Sequence, residues 1–293
     1  MSKRMMGTLV LLLGAMIWGA AFVAQSVGMD YVGPFTFQAT RCLLGSLVLV
    51  PVILFMDKRG NERKPVSKAD KKYLLLSGLG CGIFLFIATS FQQVGLQYTS
   101  AGKSGFITSL YIIFVPLVGL VIGKKVSKWI WISVVLAICG LYLLCGDSGF
   151  SLGKGEWLTL GCAFSFSFHI LLIDKVSNKV DGVRLSSLQF LVCGLISLVV
   201  MFVTETPDLQ SILRCWLPIC YAGIMSSGVG YTCQIIGQAN TEPAIASLLM
   251  SLESVFAVIF GWMLLGQGLS TLELVGCGLV FAGVVLAQLP DKR

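Results

Sequence analysis

Charge is scarce in this chain. Only 12% of its 293 residues are Asp, Glu, Lys or Arg, and histidine occurs once, as His169. A soluble domain carries roughly a quarter charged residues. With 56% hydrophobic residues and a mean hydropathy of +0.88, the chain has too little polar surface to solvate a globule, and it is read as an integral membrane protein with no soluble domain left over. Chemical motifs are also missing. The ten cysteines form no CxxC, so no metal is assigned and no disulfide is required. There is no HExxH, no paired intramembrane Asp, and no Ser elbow near His169, which leaves an intramembrane enzyme without its motifs. The GKS at 102–104 lacks the strand-loop-helix setting of a phosphate cradle, and no cofactor is implied.

What is present is a series of apolar runs of about twenty residues, the length that crosses a ~30 Å hydrocarbon core. Ten candidate spans follow: 5–27, 34–56, 73–95, 101–123, 128–146, 155–175, 184–203, 214–238, 242–265 and 270–289. The first carries Trp18 and Gln25 and no small-x-small cleavage site, so it is read as a retained span. With the N-terminus inside, seventeen of the twenty-one Lys and Arg fall in cytoplasmic segments and two, Lys154 and Arg214, fall outside; Arg41 and Lys103 lie within spans or at their edges. This asymmetry places both termini in the cytoplasm. The basic loop DKRGNERKPVSKADKK (57–72) then faces anionic lipid headgroups, and nucleic acid is not a partner.

The two halves of the chain share a pattern. SLYIIFVPLVG (109–119) and SLESVFAVIFG (251–261) keep Ser-Leu, Phe and Gly in register, Gly95 matches Gly237 at the same spacing, and Ser127 meets Ser270 after one extra residue. GAMIWGAAF (14–22) matches GCAFSFSFH (161–169) more loosely. Five spans per half is an odd number, so the second half enters the membrane from the opposite side. The loops agree: GKKVSK (123–128) is basic and its counterpart GQGLS (266–270) is not. The expected fold is all-α, with ten transmembrane helices in two inverted five-helix repeats, residues 1–147 and 148–293, around a central cavity. Such a pair of repeats creates a mid-bilayer site that either side can reach in turn.

Polar groups at that depth identify the candidate site. Glu253 and Tyr111 fall near the midpoints of spans nine and four, with Arg41 about 6 Å to the outer side of centre and His169 about as far to the inner side. An ionised group there costs at least ~2.5–3.5 kcal/mol, so it must face a cavity or a partner. Trp18, Gln92, Tyr231 and Gln234 complete the candidate binding set, with Gln25, Gln38, Gln93, Ser226 and Ser227 as further polar residues within spans. Each also has a structural reading. Arg41 and Glu253 form either a static ion pair or a binding pair, Lys103 snorkels to the interface, His169 packs among Phe164, Phe166 and Phe168, and the neutral polar residues join helices.

The runs SLESVFAVIFGWMLLGQGLSTLELVGCGLVFAGVVL (251–286), IWGAAF (17–22) and GKSGFITSLYIIFVPLVGLVIGKKVS (102–127) resemble the EamA branch of the drug/metabolite transporter superfamily, and the resemblance covers essentially the whole chain. It implies a cavity lined by the first four helices of each half, with the fifth and tenth helices peripheral. Relatives carry Pro after the Glu of the ninth span, where this chain has Ser254, and Glu where it has Lys124 and Gln267; Pro116 is left to kink the fourth span. The function so implied is secondary transport of a small organic solute, an amino acid or related metabolite, across the cytoplasmic membrane by a monomer. Protons are the candidate coupling ion. The alternatives are an exporter of lipophilic cations, an intramembrane enzyme and a sensor.

Overall fold

In the computed structural model, residues 3–59, 67–99, 101–144, 153–265 and 270–288 are described. The expected boundary at 147/148 and Gln267 lie outside them. Every regular element among the described residues is helical, as a chain in lipid requires if its backbone groups are to be satisfied internally. In order they are α1 (Lys3–Gly28), α2 (Pro34–Arg59), α3 (Lys68–Gly95), α4 (Ala101–Ser109), α5 (Tyr111–Val121), α6 (Lys128–Leu144), α7 (Lys154–Val176), α8 (Gly182–Thr204), α9 (Leu209–Arg214), α10 (Trp216–Cys220), a π-helical stretch (Tyr221–Gly230), α11 (Tyr231–Gln238), α12 (Pro243–Met250), α13 (Leu252–Leu265) and α14 (Thr271–Ala287). Helix, continuous or broken, occupies each of the ten apolar segments read from sequence. Seven segments are long and apolar enough to cross a membrane by length and composition, which makes this a multi-pass membrane protein; Lys128–Leu143 and Thr271–Ala287 are shorter apolar helices.

Polar side chains fix the helix ends. Ser67 and Asp70 form a reciprocal capping box at the start of α3, with Asp70 N donating to Ser67 Oγ at 3.0 Å and Ser67 N to Asp70 Oδ2 at 3.1 Å; this is how the basic loop hands over to a span. Glu205, just past α8, accepts from Phe35 N and Thr36 N at 2.8 Å each and from Thr36 Oγ1 at 2.6 Å. A carboxylate thus satisfies the free N–H groups that open α2.

Two spans are interrupted near their middles. α4 gives way to α5 at Leu110, and α12 to α13 at Ser251. Pro116 was expected to kink the fourth span, and the missing proline at Ser254 left the ninth without an obvious cause; the structure breaks both, upstream of either position. Serines supply the physical reason. Ser251 Oγ and Ser247 Oγ donate back to Leu248 O at 2.8 Å and Ala244 O at 2.9 Å, contacts that bend helices. Ser254 Oγ reaches across to Gly105 O at 3.0 Å and lies 2.6 Å from Ser109 Oγ. Hydroxyls therefore tie the two breaks to each other.

Close backbone contacts made by glycine hold the helices together, and they come in matched sets. A methyl group on Gly7 would stand 3.1 Å from Gly237 O, and one on Gly237 3.1 Å from Gly7 O; for Gly95 and Gly155 the same two distances are 3.2 and 3.0 Å. A methyl on Gly140 would meet Gly276 O at 2.5 Å, and one on Gly283 would meet Ser133 O at 2.8 Å, across the α6–α14 contact. Likewise Gly223 packs on Arg41 O and Gly82 on Gln189 O, at 3.0 and 2.8 Å from the added methyl. Only the absence of a Cβ permits such approach.

Candidate functional site

A partly enclosed cavity whose atom-free space is about 460 Å³, open solvent included, lies between α1, α2, α3, α4, α5, α7, the π-helical stretch, α11, α12 and α13. Every residue in its wall is buried. α1 contributes Trp18, Phe22 and Gln25, an i, i+4, i+7 series that shares one helix face. The π-helical stretch contributes Ser226, and Tyr231 and Gln234 follow from α11. Ser226 and Tyr231 are five residues apart, the repeat of a π-turn rather than of an α-helix; the wider turn brings both to the same wall.

Seven of the eight residues singled out from sequence meet here: Trp18, Arg41, Gln92, Tyr111, Tyr231, Gln234 and Glu253. His169 does not. It is fully buried one layer behind, its Nε2 3.0 Å from Gln189 Oε1, with its ring 6.1 Å from that of Tyr231. Lys103, in the first turn of α4, is absent from the wall too. Gln38 and Gln93 turn elsewhere, Gln38 Nε2 to Ser90 Oγ at 3.1 Å and Ser197 Oγ at 3.0 Å, and Gln93 Nε2 to Met29 Sδ at 3.1 Å. Sequence reasoning missed Phe22, Thr108, Phe166, Ile170 and Met250.

Those missed residues had a signal. Ten of the fourteen wall residues form five pairs at two fixed spacings: Trp18 with Phe166 and Phe22 with Ile170, 148 positions apart, then Gln92 with Gln234, Thr108 with Met250 and Tyr111 with Glu253, 142 apart. The close contacts of Gly7 and Gly155 follow the 148 spacing as well. These contacts set residues 14–22 against 162–170, a spacing of 148, where the loose sequence match is to 161–169.

The two charges are arranged differently from a salt bridge. Tyr111 Oη donates to Glu253 Oε1 at 3.0 Å, and Glu253 sits in the first turn of α13, where the free N–H groups of a helix start favour a negative charge. Arg41 is 2% exposed, and its Nε and Nη2 have no hydrogen-bond partner. Arg41 and Glu253 share no ion pair; among the described residues the ion pairs join Lys124 to Asp174 and Arg184 to Asp57. Trp18 Nε1 is also buried without a partner, while its ring meets Tyr231 edge-on with centroids 4.8 Å apart. The cavity thus offers a cation with two unused donors, a carboxylate held by a phenol, and an aromatic wall between.

A wider cavity, about 1160 Å³, opens beyond Gln234. Lys124, Lys125, Asp174, Asn178 and Glu242 are in its wall. Gln238 belongs to this second wall, accepts from Gln234 Nε2 at 3.0 Å and donates to Ile170 O at 3.1 Å. A pair of glutamines therefore stands between the two spaces.

Comparison with known proteins agrees with this architecture. The chain is 29% identical over 290 residues to a protein of Archaeoglobus fulgidus described as an uncharacterized transporter, covering 98% of this chain and 87% of that one. It is 25% identical over 316 residues to an S-adenosylmethionine/S-adenosylhomocysteine transporter of Chlamydia muridarum, covering 98% and 93%. A solved crystal structure superposes with a TM-score of 0.78 at 18% identity over 96% of each chain. The model of the EamA-like transporter family matches twice, over residues 5–146 and 153–289, and with both matches together spanning nearly the whole sequence, the chain belongs to that family.

Proposed function

We propose that this protein is a secondary transporter of a zwitterionic organic solute, an amino acid or related metabolite, that works by alternating access. In this reading the chain crosses the cytoplasmic membrane ten times with both termini inside, as a monomer of two inverted five-helix halves. The double family match, the matched glycine contacts and the paired wall residues support the duplication. The basic loops support the orientation.

The observation that carries the substrate reading is Arg41. A guanidinium buried in the cavity wall with Nε and Nη2 unused is expensive, and a solute carboxylate supplies what it lacks. Glu253 receives the amine or exchanges a proton, and Trp18, Tyr231 and Phe166 pack the body between. The Chlamydia relative transports two compounds that each carry an amino-acid head group, which fits the same division of labour. Glu253 among aromatic rings favours a second reading, a lipophilic cation held without help from Arg41.

The test is a thermal-shift screen of the purified protein against amino acids, other metabolites and lipophilic cations, with hits followed into proteoliposomes. Zwitterions are expected to stabilise the protein and to be taken up. Stabilisation by lipophilic cations alone would transfer the case to the second reading, and binding without flux would mark a sensor.

A further inference from the structure

Two cysteines face each other outside the cavity wall, across the contact between α2 and α8. Cys42 Sγ and Cys193 Sγ are 3.6 Å apart, both are wholly buried, and both are free thiols. The helix backbones converge here because Gly194 follows Cys193: a methyl group on Gly194 would lie 3.1 Å from the backbone N of Leu43, the residue after Cys42. A disulfide requires the sulfurs to close from 3.6 Å to ~2.05 Å. Cys193 Sγ is further surrounded by Gln38 Nε2 and Thr89 Oγ1, each at 3.9 Å. Arg41, which precedes Cys42 in α2, lines the cavity, while Cys42 and Cys193 themselves are wholly buried.

The pair also bridges the duplication, since α2 lies in the first family match and α8 in the second. We propose that Cys42 and Cys193 form a peroxide-sensitive clasp, a reversible disulfide that joins the two halves and arrests transport. The chemistry needs only a hydroperoxide. One thiol attacks it, forming an S–O bond and breaking the O–O bond to give a sulfenic acid and water. The second thiol then displaces the hydroxyl, forming the S–S bond and releasing a second water. Two thiols lose two electrons and two protons, and hydrogen peroxide becomes two waters. The arrest rests on the transport reading, because only halves that move against each other are stopped by a bond between them.

The experiment uses the full chain in proteoliposomes. Hydrogen peroxide is added, free thiols are alkylated, and non-reducing peptide mapping is run beside uptake of the solute found by screening. A Cys42–Cys193 linked peptide is expected, with uptake reduced by about tenfold or more, as for a blocked conformational step, and both changes reversed by dithiothreitol. Cys42→Ser and Cys193→Ser are expected to give no such peptide and to keep their uptake under peroxide. Absence of the linked peptide in the parent protein, full uptake despite it, or equal loss in both serine variants would overturn the clasp. Failure of the transport reading looks different: no uptake before oxidation, whether or not the linked peptide forms.

Discussion

Replacing Arg41 by Met separates a binding residue from a structural one. Methionine keeps a flexible, unbranched apolar stem, though a shorter one, and removes the charge. In the empty protein Arg41 is 2% exposed with Nε and Nη2 unpartnered. An unmatched buried polar group costs about 1–3 kcal/mol, and an Arg at mid-membrane about 2.5–3.5 kcal/mol. Arg41→Met is therefore expected to stabilise the solute-free protein by about 1–3 kcal/mol, allowing for imperfect packing of the new side chain. Solute binding moves the other way. Truncating one partner of a buried charged hydrogen bond costs roughly 2–5 kcal/mol, which at about 1.4 kcal/mol per decade is a loss of some 30-fold to several thousand-fold in Kd. Thermal unfolding in detergent, with and without the solute, reads both signs in one series. A variant that melts below the parent without solute would show that Arg41 holds the fold, and an undiminished solute shift would show that it does not touch the cargo.

Other perturbations follow from the same geometry. Tyr111→Phe, Glu253→Gln and the double variant form a thermodynamic cycle in which the 3.0 Å bond is expected to appear as a coupling of about 1–3 kcal/mol in unfolding free energy; additive effects would mean that the bond contributes nothing. If Glu253 also exchanges the coupling proton, Glu253→Gln retains solute exchange and loses the response of uptake to an imposed pH gradient. Gly140→Val drives a side chain toward Gly276 O, already 2.5 Å from an added methyl, whereas Gly278 has nothing within 4 Å. The first is expected to cost about 1–3 kcal/mol and Gly278→Ala almost nothing, as measured by loss of monodisperse protein on heating. Glu205→Ala removes three hydrogen bonds from the start of α2 and is expected to cost about 1–2 kcal/mol, with Glu205→Gln recovering part; equal melting of all three proteins would show that water caps the helix equally well.

Hydropathy made the helical segments legible because a membrane leaves the backbone so few choices. It could not locate the interruptions at Leu110 and Ser251, since these depend on where hydroxyls of Ser109, Ser251 and Ser254 find acceptors. Nor could it foresee the π-helical stretch Tyr221–Gly230, whose composition is that of an ordinary span. The ionisable wall residues, with Trp18, Tyr111 and Tyr231, were readable because their polar groups are costly in lipid and must face something. Phe22, Ile170 and Met250 were not, because an apolar side chain is equally at home against lipid, in a core or on a cavity. His169 shows the converse: a polar ring at the right depth lies behind the wall, with Nε2 against Gln189 and Nδ1 left without a partner.

The bond between Tyr111 and Glu253 has a consequence for how this chain could have arisen. It joins residues 142 positions apart, that is, the same place in each repeat. A protein assembled from two identical copies would have to put one residue type at both ends: two phenols would pair without an acid, and two carboxylates would have to share a proton. Under the proposed duplication, a single polypeptide lets each end carry its own residue type. On that proposal, the donor and the acid mark a position at which the two halves are not interchangeable.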